Sequence, residues 1–195
     1  MKKNILLSGL IALSLYTTMG FAKNVQKKTN HLEKKMAKKA IKKLMKNMQK
    51  NFKSAMQKNG PVGAVDFCSN NAENIINQVN KSFKKNITIK RVTLKPRNPK
   101  DLAKDDEKEI LTALEKLKQN KVLLPKLLIQ KIDKTHTKVY KPIIVKAKCL
   151  ICHGTEDKLD KKAYEAIKEK YPNDKAIGYK VGDLRGAFVV DIVKK

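Results

Sequence analysis

Between residues 30 and 58 apolar side chains recur every three or four positions, at Leu32, Met36, Ala40, Ile41, Leu44, Met48, Phe52, Ala55 and Met56, and most of what separates them is lysine. That period predicts one long amphipathic helix over about residues 30–58, ended by Gly60-Pro61. Pro61 opens a second predicted helix, 61–81, with Val65, Cys68, Ala72, Ile75, Ile76 and Val79 along one side, so Cys68 is expected to face inward. From 87 to 95 the period changes to two, which predicts a strand, followed by a Pro96-Arg97-Asn98-Pro99 loop that two prolines keep out of helix and sheet. Residues 101–119 read as a third helix, acidic toward its start and basic toward its end. Strands over about 126–132 and 137–146 flank a turn at Asp133-Lys134, a short helix covers 160–170, and a last strand covers 187–193. Helices come first, then strands interrupted by helices, without βαβ alternation or repeats. The order predicts an α+β fold: a mostly antiparallel sheet with the N-terminal helices packed on it.

The first residues change the cellular picture. Lys2 and Lys3, an apolar run from Ile5 to Tyr16 and the small-residue site Gly20-Phe21-Ala22 predict a signal peptide over 1–22. The mature chain is then a single domain, 23–195, in the periplasm or otherwise exported; the apolar run is shorter than a membrane span needs. A formal charge of +27 on a cytosolic chain would point to nucleic acid, but export removes that partner. An anionic membrane surface, an acidic partner protein or a merely solvated lysine surface remain.

Chemistry concentrates at Cys149-Leu150-Ile151-Cys152-His153, the C-x-x-C-H attachment signature of haem c. On a short helix the two thiols share a face and can form thioethers along one porphyrin edge, while His153 reaches the iron. A redox dithiol would leave His153 incidental. A structural zinc site could use Cys68, Cys149, Cys152 and His153, although the usual second closely spaced ligand pair is missing. With Cys149 and Cys152 assigned, Cys68 is an odd thiol in an oxidising compartment and needs a reason; a buried structural cysteine is one. The opposite iron face is open to Cys68, a methionine of the first helix, His136 or no ligand, whereas His31 lies near the mature N-terminus and is a poor choice. Arg97 and Arg185 could pair with haem propionates, make local salt bridges or cap carbonyls. Tyr171 and Tyr179 could line the pocket or pack in the core. No enzymatic activity is expected; a peroxidase is the weaker alternative and would need an open distal site with acid/base residues that are not evident.

Taken in order, several segments resemble a family of exported haem c domains with a PAS-like fold, long catalogued as a domain of unknown function. They are Gly60-Pro61 with Ala64-Val65-Asp66-Phe67-Cys68 and Ala72; Arg97-Asn98-Pro99 before an acidic helix; Pro142-Ile143 leading to Cys149 through Gly154; and the run from Tyr171 to Ala187. The resemblance spans about residues 32–193. It implies a six-coordinate haem with His153 on one face and Cys68 on the other. Thiolate donation should favour Fe(III) and lower the reduction potential, and a thiolate protonated on reduction should leave. The functions implied are a redox or small-ligand sensor acting through a separate signalling protein or, alternatively, an electron-transfer cytochrome docking an acidic partner. A structural zinc module is the alternative outside haem chemistry.

Overall fold

The structure, a computed structural model, describes residues 8–84 and 86–194, with side chains described from residue 30 onward. Lys2, Lys3 and the start of the apolar run lie outside the described residues, and so do the side chains of the remaining signal-peptide segment. The first helix, α1 (Ser8–Asn70), is bent where the sequence placed a stop: Asn59 and Gly60 leave helical geometry, Gly60 at φ 57°. Pro61 opens a second helical piece beyond the kink, as the sequence predicts. The predicted helix over 61–81 is instead divided at Asn71, after which α2 (Ala72–Lys81) begins. The break is slight, since Asn71 N–H still donates to the Phe67 carbonyl and Ile75 N–H to that of Asn71.

Among the described residues four strands, β1 (Ile87–Val92), β2 (Leu128–Lys131), β3 (His136–Ile144) and β4 (Leu184–Val193), form one antiparallel sheet in the order β1-β4-β3-β2. Three further helices follow α2: α3 (Asp105–Gln119), α4 (Leu150–His153) and α5 (Lys161–Lys170). The fold is α+β, as the pattern of elements predicts. Both sheet faces are covered, and the alternation along β4 shows how. Val190 and Ile192 pack with Ile89 and Val139 under Ala37, Ala40, Ile41 and Leu44 of α1. Ala187 and Val189 pack on the other face with Val92 and Tyr140 under Leu111 and Leu114 of α3. Each fully buried Val, Leu or Ile contributes about 1.5–3 kcal/mol, so these two seams hold the three layers together.

The third helix starts at Asp105 and not at 101. Pro99–Asp101 forms a 3-10 turn capped by Asn98, which accepts from Lys100 N–H. Leu102 then runs extended beside Thr93, because Thr93 N–H donates to the Asp101 carbonyl and Ala103 N–H to that of Thr93. The Arg91 guanidinium, 2.6 Å from the Asp101 carboxylate, locks that segment to β1. At the outer edge of β1, the Asn80 carboxamide accepts from Ile89 N–H at 2.7 Å and donates to its carbonyl at 3.0 Å.

Glu33, the lone acid between residues 30 and 58, is wholly buried where α1 meets the sheet. Lys131 approaches it to 2.5 Å, Lys194 to 2.7 Å and the Thr137 hydroxyl to 3.1 Å. One carboxylate thus ties α1 to β2, β3 and the chain end.

Gly186 sits in β4 with φ 150°, beside the register shift between Ile143 and Ile144. A Cβ there would run into the Val92 carbonyl. Gly186→Ala is expected to destabilise the fold by at least about 2 kcal/mol, through strained backbone and displacement of β1. A denaturation midpoint unchanged from the parent would refute this.

Candidate functional site

The C-x-x-C-H segment is held at both ends by backbone. Ahead of it, Val145 N–H donates to the Asp183 carbonyl and Gly182 N–H to that of Val145. Behind it, Tyr179 N–H donates to the His153 carbonyl and Gly178 N–H to that of Gly154. Cys149 immediately precedes α4 and Cys152 lies within it, the short helix the spacing anticipates. The loop over 171–183, remote in sequence, forms the seat for this segment.

Beside it lies a cavity of about 460 Å³, enclosed by α1, α2, the end of the sheet and α4. Cys68, Cys149, His153, Arg97, Arg185 and Tyr171 all line it, with Ile76, Ile143, Val145 and Phe188 as apolar wall. Five of the six proposed site residues therefore meet at one space. The sixth, Cys152, packs against Val65, Ala163 and Ile167. Tyr179 lies edge-on to the His153 ring at 6.3 Å. All three cysteines are free thiols.

Cys68 lies on the side the wheel predicts, but it is exposed and not packed into the core. What it is exposed to is the cavity, and atoms crowd it on its other sides. That crowding pushes the thiol above its ordinary value, with Arg91 and Arg97 opposing. The rival candidates do not line the cavity. His136 bonds to Asp191 at 2.7 Å, and Met36, Met45 and Met48 pack on the α1 seam. Nor do the zinc ligands assemble: among the described residues no three His, Cys, Asp or Glu side chains converge as a metal ion requires.

His153 is half-buried and neutral. Burial, then the charges of Arg97 and Arg185, lower its pKa to about 3. Its Nδ1 lies 2.7 Å from the Ala176 carbonyl, an acceptor only, so Nδ1 carries the proton and Nε2 keeps a free lone pair. Such a histidine is oriented for metal ligation through Nε2.

Asp174, which sequence reading passed over, organises this arrangement. One of its oxygens accepts from Ala176 N–H at 2.7 Å; the other pairs with Arg97 at 3.0 Å, and Arg97 also donates to the Cys152 carbonyl. Arg97 therefore makes the local salt bridge and carbonyl cap left open as alternatives. The turn-forming Pro172-Asn173-Asp174 run was a signal for the loop, but its partner, 77 residues earlier, was not readable. The side chains of Arg97 and Asp174 are only 13% and 7% exposed. Asp174→Ala is accordingly expected to destabilise the protein by about 3 kcal/mol, because it strands a buried guanidinium. Asp174→Asn, which can still accept from Ala176, should lose less. Chemical denaturation of the three proteins checks the order; equal midpoints would contradict it.

Arg185 is less completely used. Its Nη1 donates to Thr93 Oγ1 at 2.8 Å and to the Lys95 carbonyl at 3.2 Å, and its guanidinium lies 5.5 Å from the Tyr179 ring. Among the described residues its buried Nε has no partner. An anionic group in the cavity that Arg185 lines would supply one.

Comparison with known proteins adds two findings. The family model described as Tll0287-like matches residues 22–193. The crystal structure of the cyanobacterial heme-protein Tll0287 is 30% identical to this chain, covers 64% of it and 70% of its own chain, and superimposes with a TM-score of 0.49. Among curated proteins there is no match.

Proposed function

The chain belongs to the Tll0287-like family, and from that premise we propose that it is an exported monohaem c-type protein, a redox or small-ligand sensor with a low-potential haem in a PAS-like domain. The observation that carries this reading is the meeting of Cys68, Cys149, His153, Arg97 and Arg185 around one cavity. Five of the six residues fit the group as they stand, and Cys152 would have to turn from Val65, Ala163 and Ile167 toward the cavity. Cys149 and Cys152 would hold it by thioethers, His153 offers a free Nε2 already oriented by the Ala176 carbonyl, and Cys68 faces the same space from α1. Arg185, with an unpartnered buried N–H, suits a propionate. When bound, the haem supplies a one-electron iron couple and, with a ligand position open, a site for a small molecule.

Sensing is favoured over a fixed carrier by where Cys68 sits. The helical piece bearing it lies between the bend at Asn59-Gly60 and the break at Asn71. His153 is anchored separately, on the loop over 171–183. Cys68 and His153 are thus carried by different elements, which touch through Val65 and Cys152. The electron-transfer reading draws on the basic surface, which suits an acidic redox partner.

The test is the optical spectrum of the exported protein, oxidised and dithionite-reduced, beside Cys68→Ser. A covalent haem spectrum whose thiolate features vanish in the variant is expected, with loss of those features in the parent on reduction. Unchanged ligation in both oxidation states would favour the carrier. Absence of a Soret band would remove the haem reading altogether.

A further inference from the structure

The exposed face of α1 has a charge pattern that the haem site does not require. Residues 30–58 contain ten lysines, no arginine and one acid, Glu33. That acid is buried and already satisfied by Lys131 and Lys194. Beyond residue 58, by contrast, thirty basic residues are interleaved with seventeen acids. The unbalanced charge is thus concentrated on one helix.

Geometry sharpens the concentration. At 100° per residue, Lys34, Lys35, Lys38, Lys39, Lys42, Lys46, Lys50 and Lys53 occupy about half of the helix circumference over a length of about 28 Å. All are exposed, while Ala37, Ala40, Ile41 and Leu44 on the other half pack against the sheet. Among the described residues none of the eight has a carboxylate within salt-bridge distance, whereas lysines elsewhere, such as Lys90, Lys138 and Lys170, do. Rows such as 34, 38, 42, 46 and 50 place like charges four apart, an arrangement that destabilises a helix. A surface serving only solubility would intersperse acids, as the rest of this chain does.

We propose that this face of α1 docks on the headgroups of an anionic lipid bilayer. A fluid sheet of negative charge fits the face better than a folded acidic protein does. Protein interfaces are depleted in lysine and enriched in arginine and aromatic residues, and the stripe has no arginine. Lysine, a flexible point charge, suits diffuse attraction to headgroups that can rearrange beneath it. Leu32 and Phe52, 53% and 38% exposed at opposite ends of the stripe and on its two borders, supply apolar side chains at the depth of the headgroup boundary. The cavity meets α1 at Cys68, beyond the bend, and none of the eight lysines lines it.

The test is flotation of the purified protein with vesicles of phosphatidylcholine alone and of phosphatidylcholine mixed equally with phosphatidylglycerol, across a salt series. Binding to the anionic vesicles alone is expected, and it should weaken as salt rises. Each lysine near such a surface is worth about fivefold in affinity. Reversing Lys35, Lys39, Lys42 and Lys46 to Glu should therefore weaken binding by more than about 100-fold. Reversing Lys126, Lys134, Lys158 and Lys161, an equal change in net charge placed elsewhere, should leave most of the binding intact. Circular dichroism of both variants establishes that they are folded. Equal losses in the two variants would overturn the proposal, as would absence of anionic-vesicle binding at low salt. Retention on an acidic protein without vesicle flotation would overturn it too and assign the face to a protein partner.

Discussion

A protein in which Cys149 and Cys152 are both alanine is expected to carry no covalently bound haem, so that haem-dependent staining after denaturing electrophoresis disappears. The two thiols are the only groups through which the porphyrin edge would be bonded, and neither is replaceable by a neighbour, since the remaining cysteine, Cys68, sits on α1. The fold should survive. Cys149 borders a small cluster of Val145, Ala176 and Tyr179, and Cys152 one of Val65, Ala163 and Ile167. Trimming a sulfur from each should destabilise the fold by about 1 kcal/mol per site. His153, bonded to the Ala176 carbonyl, would stay in place and could still hold haem loosely, removable by acid solvent. Covalent haem persisting in the double variant would defeat the attachment reading, and total loss of folded protein would show that the thiols matter for packing instead.

The second large effect concerns Glu33. Lys131→Met together with Lys194→Met should destabilise the protein by about 3–5 kcal/mol, because a wholly buried carboxylate loses both cations and keeps only the Thr137 hydroxyl. Adding Glu33→Gln to that pair should recover much of the loss by removing the stranded charge. The pH dependence gives an independent reading. Burial pushes the Glu33 carboxyl up, but hydrogen bonds and charge from Lys131 and Lys194 outweigh it, and the group sits below its ordinary value of 4.5. A depressed carboxylate contributes stability that is complete above its unfolded value and is lost as pH falls through the folded one. The parent should therefore weaken on acidification below about pH 4.5. Without the lysines burial outweighs the one Thr137 hydrogen bond, so the double variant should instead gain stability as pH falls toward about 4.5 and change little below it. Parallel pH profiles for the two proteins would refute the assignment.

What could be read from the sequence was whatever is contiguous. The α1 period, its interruption at Gly60 and the C-x-x-C-H segment each lie within a few residues, and each is where the pattern places it. The strands were anticipated to within a few residues because alternation survives uncertain ends. The start of α3 was misplaced because acids at 101, 105 and 106 look alike in sequence, yet Asp101 is claimed by Arg91 of β1 and by Thr93 just beyond it. The break at Asn71 left no mark because helical hydrogen bonds continue across it. Site residues divide along the same line. The wheel put Cys68 on the correct side but could not tell a core from a cavity. Asp174 was invisible as the link between Arg97 and Ala176, since that link exists only once two distant loops have met.

The pairing of Asn80 with Ile89 has a consequence for how the protein behaves in a crowded compartment. β1 is an outer strand of the sheet, and an outer strand offers unsatisfied backbone to any similar strand that passes, the usual first step toward aggregates. One carboxamide from α2 occupies both groups at the middle of that border. β2, at the opposite border, is only four residues long. The border of β1 is thereby blocked at its middle and that of β2 is short, so both edges offer little backbone for pairing with a second copy edge to edge.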